Sequence, residues 1–165
     1  MTHHSRGFTL VEVLVVMMIV AVLAAAVSLG FVGADREQNL RTEAERLAAL
    51  IELARVQAIS RNEEWGLTLN REGYSFLVHD PDRNRWQPDT SSTFRARKVQ
   101  DLSLTAKVEA LPIPEDDDSN ERPAILMLSS GEQTPFEIEL TPAWQARSWI
   151  VKSDGLSRTE ALRTP

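Results

Sequence analysis

The chain of 165 residues contains no cysteine. That excludes disulfides, thiol catalysis and thiolate metal sites. It does not fix a compartment, because a domain of roughly 130 residues can bury a core without covalent staples. Histidine is scarce as well: His3, His4 and His79 are the whole supply. Only His79 lies outside the extreme N-terminus, at the end of an apolar run, and no nucleophile elbow accompanies it. An isolated histidine in that setting reads as structural, so no catalytic residue is expected. Basic residues are outnumbered by acidic ones, 18 to 24, for a formal charge of −6. A chain this acidic lacks the broad basic face that nucleic-acid binding needs. Its acidity speaks for solubility, not for a particular partner. Proline is missing from residues 8–62, so nothing there forbids one long helix.

What the N-terminus does have is a long apolar run. Val13 to Ala34 is interrupted only by Ser28, Gly30 and Gly33. As a helix it would reach roughly 33 Å at about 1.5 Å per residue, enough to cross a bilayer. Arg6 ahead of it favours a cytoplasmic N-terminus, which places everything after Asp35 on the far side. One residue disturbs this pattern. Glu12 stands at the mouth of the apolar run with no Lys or Arg beside it. A carboxylate at the centre of a membrane helix costs about 2.5–3.5 kcal/mol on insertion scales, and such residues are usually functional. Two plain readings compete here. One is a secretory signal peptide cut within "VLAAAVS" near Ala26. The other is a signal anchor that tolerates Glu12 near the interface.

The stretch "RGFTLVE" (6–12) resembles the processing site of the type IV pilin superfamily. The resemblance implies that a prepilin peptidase cuts after Gly7. It also implies that Phe8 becomes the first mature residue and is N-methylated, and that residues 1–7 form the leader. Glycine at the cut suits a protease that must bring its backbone close. Cleavage would create a positive amine on Phe8, and an opposite charge in low dielectric offsets the cost of burying Glu12. In the family the carboxylate at this place is held to meet the amine of a neighbouring subunit during assembly. Such a pairing sets axial register, because other registers leave buried charge unpaired.

From Asp35 the pattern changes. Leu40, Ala44, Leu47, Ile51, Ala54 and Ala58 fall at alternating spacings of about four and three, so 35–62 reads as an amphipathic helix with one core stripe. Ala49, Leu53, Val56 and Ser60 make a second small stripe roughly opposite. Leu53 and Val56 are candidates for packing on helices of neighbouring subunits; scattered surface apolar residues are the alternative. Gly30 and Gly33 mark where the helix could bend.

The remainder, 63–165, reads as short strands. "EWGLTLN" and "YSFLVHD" around "REG" predict a hairpin closed by Gly73. "TFRARKV" and "LSLTAKVEAL" alternate, the latter with Leu102, Leu104 and Ala106 on one side. "AILMLSS" and "PFEIELT" predict a second hairpin with Phe136, Ile138 and Leu140 inward. "RSWIVKS" and "LSRTEAL" around Asp154-Gly155 predict a third. The fold class expected is α+β: a long N-terminal helix, its 8–34 part spanning the membrane, packed through 35–62 on an antiparallel β-sandwich.

"LARVQAISRNEEWGLTLNREGYSFLV" (53–78) resembles the minor pseudopilin H family of type II secretion, which is related to minor pilins of type IV pili. The resemblance implies a structural subunit at or near the tip of a periplasmic pseudopilus. It implies a single-pass inner-membrane location before assembly, with the β-domain in the periplasm. Partners so implied are the prepilin peptidase, the other minor pseudopilins, the major pseudopilin and an inner-membrane platform. No cofactor is implied. A minor pilin of a type IV pilus or DNA-uptake system shares the N-terminal evidence and stays open.

Other candidates weigh less. Asp80, Asp82 and Asn84 begin like a calcium loop, but Arg85 stands where glycine is needed and Ser91 where glutamate is. A solvated turn is the expectation there. Residues 112–123 form a Pro-bounded acidic loop. Trp65, Trp86, Trp144 and Trp149 read mainly as core, with partner anchoring the alternative. "FRARK" (94–98) is the one basic cluster, and alternation would put Arg95 and Arg97 on one strand face.

Overall fold

A computed structural model describes residues 9–99, 102–108, 123–143 and 147–164, with only the backbone for 25–36. Helix α1 covers Leu10–Arg61. The chain divides into two compact units, one ending at Asn39 and one running from Leu40 to the C-terminus.

Both ends of α1 are built from local chemistry. Thr9 precedes it, and the Glu12 amide donates to Thr9 Oγ1 at 3.3 Å and to the Thr9 carbonyl at 3.1 Å. Thr-x-x-Glu at a helix start is the capping-box pattern, which satisfies an amide that has no partner within the helix. At the other end Asn62 takes a left-handed conformation, φ 53°. The Glu63 amide reaches back to the Ala58 carbonyl and that of Asn62 to Ile59. This is a Schellman stop, with Asn in place of the commoner glycine.

In the second unit the predicted stripe is the core. Leu40, Ala44, Leu47, Ile51, Ala54 and Ala58 are all buried, in one cluster with the inward faces of two antiparallel sheets. The first sheet holds β1 (Trp65–Asn70), β2 (Gly73–Asp80), β3 (Arg85–Pro88) and β6 (Ile125–Met127) in the order β3-β2-β1-β6. The two-residue β4 (Arg97–Lys98) also pairs with β2. The second sheet has the order β5-β7-β8-β9: β5 (Leu102–Val108), β7 (Phe136–Pro142), β8 (Trp149–Ser153) and β9 (Glu160–Arg163). Trp65, Leu67, Phe76, Ile125 and Met127 face in from one sheet, and Leu104, Ile138, Leu140 and Val151 from the other. The α+β class, a helix on antiparallel sheets, holds.

The first and third hairpins form as read, with Asn70 opposite Gly73 and Lys152 opposite Glu160. The second does not. β6 pairs with β1, while β7 pairs with β5 and β8. Gln133 makes a single bridge to Met127, and the Thr134 amide donates to Leu126. Pro135 then has no N–H to continue a ladder, and the chain passes to the other sheet. The strand read at "TFRARKV" shrinks to Arg97–Lys98. A strand that the pattern missed, β3, closes a hairpin on β2. It lies at a sheet edge and ends in Pro88, as edge strands tolerate. Gly73 is needed for close approach: a Cβ there would sit 2.0 Å from the Arg97 carbonyl oxygen.

Candidate functional site

The candidate site is the surface of α1, together with whatever fixes that helix to the sheets. Gly7 and Phe8 lie outside the described residues. Glu12 lies one turn into α1 with its side chain exposed. Around it the helix is apolar on every side: Leu10 is 80% exposed, Leu14 61% and Leu23 61%. A helix that is hydrophobic all round is built to be buried by something outside itself. Among the described residues no helix is long and apolar enough to cross a membrane. The side chains of 25–36, which include the C-terminal part of the predicted span, lie outside those residues.

In the second unit the stripe opposite the core is open: Leu53 is 38% and Val56 56% exposed, with Ile59 alongside. The flanks of the same helix hold the sheets through charged side chains. Arg55 donates to the carbonyls of Gly131 at 2.6 Å, Leu156 at 2.9 Å and Ser157 at 3.2 Å. It thereby ties the turn after β6 and the β8–β9 loop to α1. Glu52 accepts the Thr159 amide at 2.8 Å, and Glu64, just past the helix, accepts the Ser129 hydroxyl at 2.8 Å. Buried Glu43 takes a two-pronged contact from Arg97, at 2.7 and 2.8 Å, and a hydrogen bond from the Tyr74 hydroxyl at 3.0 Å. Burial, reinforced by the nearby Glu43 carboxylate, pushes the Tyr74 hydroxyl above its ordinary pKa. Hydrogen bonding to Glu43 likewise raises that of Arg97.

Sequence reasoning missed this set of anchors. Arg55 was visible in the Ala-Arg-x-x-Ala-Ile pattern that ends the helix. Glu43 carried a positional signal, since it stands between Leu40 and Leu47 at the border of the core stripe.

The remaining candidates are absorbed by structure. The Asp80 carboxylate accepts from the Asp82 and Arg83 amides, the Arg83 guanidinium and the Gln87 amide, closing the β2–β3 turn. Desolvation works against its ionisation, but these donors outweigh it and hold its pKa below the ordinary value. Among the described residues no group of three His, Asp or Glu side chains is placed to hold a metal ion. The basic face read at 94–98 does not form: Arg95 precedes the strand, and Arg97 is spent on Glu43. The His79 ring packs on Trp86 at 5.1 Å. Trp65 is core, beside Phe94, and Trp149 packs against the core from its edge. Trp144 and most of the 112–123 loop lie outside the described residues.

Residues 43–157 match the family model of the type II transport protein GspH. The chain belongs to the GspH family. Residues 2–28 match the prokaryotic N-terminal methylation motif. The type II secretion system protein H of Pseudomonas aeruginosa is 37% identical over 170 residues, covering 96% of this chain and 98% of that one. Its namesake in Aeromonas hydrophila is 28% identical, covering 98% and 95%. The fold is shared with the minor pseudopilin EpsH from the type 2 secretion system of Vibrio cholerae. That structure superposes with a TM-score of 0.62 at 20% identity, covering 74% of this chain and 94% of that one. Of the two readings that the N-terminus left open, these findings support the minor pseudopilin of type II secretion over a type IV minor pilin. GspH is a family of structural subunits.

Proposed function

We propose that the chain is inserted once in the inner membrane through residues 8–34, with its C-terminal domain in the periplasm. It is cut after Gly7 by the prepilin peptidase and methylated on Phe8. It then joins the major and the other minor pseudopilins on an inner-membrane platform, near the tip of a pseudopilus that supports export of folded proteins. Its role is to be a part, not to catalyse, and it needs no cofactor. Residues 1–7 serve as leader, 35–62 as the helix that carries the domain, and 63–165 as the domain presented outside.

The observation that carries this reading is the first part of α1, whose apolar side chains from Leu10 to Leu23 are exposed on all sides. Such a surface has a use only inside a bilayer or a bundle of like helices. Glu12 is then the assembly residue, paired with a Phe8 amine of another subunit. Leu53 and Val56 extend the packing face.

One experiment addresses both faces. Wild type, Glu12→Ala and Leu53→Glu are expressed in a deletion strain. Membrane insertion, incorporation into sheared pseudopili and exoprotein secretion are then measured together. Glu12→Ala should insert normally and lose at least tenfold in incorporation; Leu53→Glu should lose severalfold. Normal incorporation of Glu12→Ala would remove Glu12 from assembly, and unchanged secretion in the deletion strain would overturn the function itself.

A further inference from the structure

We propose that the apolar row Leu53, Val56 and Ile59 on α1 continues onto Leu156 of the β8–β9 loop, and that this shelf receives the apolar N-terminal helix of a neighbouring pseudopilin. The inference rests on the assembly proposed above and brings a loop of the β-domain into it. Leu53, Val56 and Ile59 stand three residues apart. Each such step falls about 60° short of a full helical turn, so the row slants from the back of α1 towards the flank that bears Arg55. Ile59 and Arg55 are neighbours there, four residues apart. The same flank holds the β8–β9 loop, because the Arg55 guanidinium reaches the carbonyls of Gly131 and Leu156 together. A Cβ on Gly131 would lie 3.3 Å from Ile59 Cδ1, so Ile59 leans over that turn. One guanidinium away, Leu156 is 71% exposed.

Leu156 is presented from a backbone that is held on both sides. Its amide donates to Asp154 at 3.0 Å, and its carbonyl accepts from Arg55 at 2.9 Å. The Gly155 carbonyl before it accepts the Gln133 amide at 2.9 Å. A side chain offered from an already fixed backbone costs less ordering on binding. The row and the leucine carry no charge, so the occupant they fit is apolar along the whole contact. The first stretch of α1 shows the chemistry of such an occupant. Residues 13–34 contain no charged side chain, and Leu10, Leu14 and Met18, four residues apart, are exposed in one line. A row spaced by three on one helix packs into the groove beside a row spaced by four on another, with the axes about 20° apart. A like helix from another subunit, running nearly parallel to α1, therefore fits the row. Leu156 then borders it from the domain side.

The test is made in sheared pseudopili from a deletion strain complemented with the full chain. Benzoylphenylalanine, a photo-crosslinking residue, replaces Leu156 in one variant and Ser103, exposed on β5, in a control. After illumination the cross-linked peptides are mapped by mass spectrometry. Position 156 should join the apolar N-terminal helix of another pseudopilin at least tenfold more than position 103 does. Leu156→Asp should lower incorporation at least threefold with an unchanged urea midpoint in detergent, whereas Leu156→Met should incorporate as wild type does. Four outcomes would each overturn the proposal: a cross-link from 156 to the β-domain of a neighbour, one to a secreted protein, none in pseudopili that contain the chain, or full incorporation of Leu156→Asp. All four leave assembly itself standing. Absence of the wild-type chain from pseudopili would overturn assembly and this shelf with it, so the two failures are told apart.

Discussion

The two described stretches of α1 solve opposite problems with one backbone geometry. From Leu10 to Leu23 the apolar side chains circle the helix and all are exposed. From Leu40 to Ala58 most of them gather in one stripe that the protein's own sheets bury, leaving Leu53 and Val56 exposed on the opposite side. The second stretch is largely finished within the chain, while the first can only be finished by something else. Folding energy and assembly energy are thus segregated along a single helix, and substitutions should sort accordingly.

The largest expected effect comes from making one substitution at both places. Leu47→Ala removes a fully buried side chain from the centre of the cluster. It should lower the unfolding free energy of the second unit by about 2–5 kcal/mol, through lost transfer energy and the cavity left behind. Leu14→Ala trims a side chain that is exposed and should shift it by less than about 0.5 kcal/mol. Denaturant unfolding of the full chain in detergent, followed by the fluorescence of buried Trp65, reads both. Similar losses would break the division between the two stretches.

A smaller effect tests how the finished stretch is fastened. Glu43 is buried with Arg97 and Tyr74 on it, and nothing comparable fixes the first stretch among the described residues. Arg97→Met would leave the carboxylate without its charge partner, as deletion of one member of a buried pair does. The Arg97 side chain keeps 39% of its exposure, so solvent screens part of the interaction. A loss of about 1–3 kcal/mol is expected, and Tyr74→Phe should cost about 1 kcal/mol. If Arg97→Met were neutral, helix and sheet would be held by apolar contact alone.

How much of this was legible in the sequence depended on whether the signal was local. The core stripe from Leu40 to Ala58 was readable residue by residue, because helical period and burial coincide. Phe136, Ile138 and Leu140 were readable for the same reason with period two. The pairing of β6 and β7 was not. Turn chemistry suggested a hairpin, and only strand order across two sheets shows that Pro135 marks a crossing. Glu43 beside the stripe gave no hint of Arg97, 54 residues away. The N-terminal methylation motif was legible because it is a local, linear pattern.

The smallest expected effect concerns the β8–β9 loop that Arg55 holds against the finished stretch. The Asp154 carboxylate caps this loop, accepting from the Ser157 amide at 2.7 Å, the Leu156 amide at 3.0 Å and the Ser157 hydroxyl at 2.8 Å. The Ser157 amide foremost, then that of Leu156, holds its pKa below the ordinary carboxylate value. Gly155, at φ 92°, makes the turn possible, since a Cβ there would lie 2.6 Å from the Gln133 carbonyl oxygen. The sign follows from linkage. A carboxyl whose folded pKa is depressed contributes stability above its unfolded value, about 3.9, and loses it as the pH falls through the folded value. Asp154→Asn should therefore be less stable than wild type at pH 6, and the gap should close on acidification below about pH 4. Urea titrations of both chains at several pH values between 3 and 6 would read the gap directly. A gap that stays constant over that range would mean that the loop is held by Arg55 and its backbone bonds alone, and that the charge on Asp154 contributes nothing.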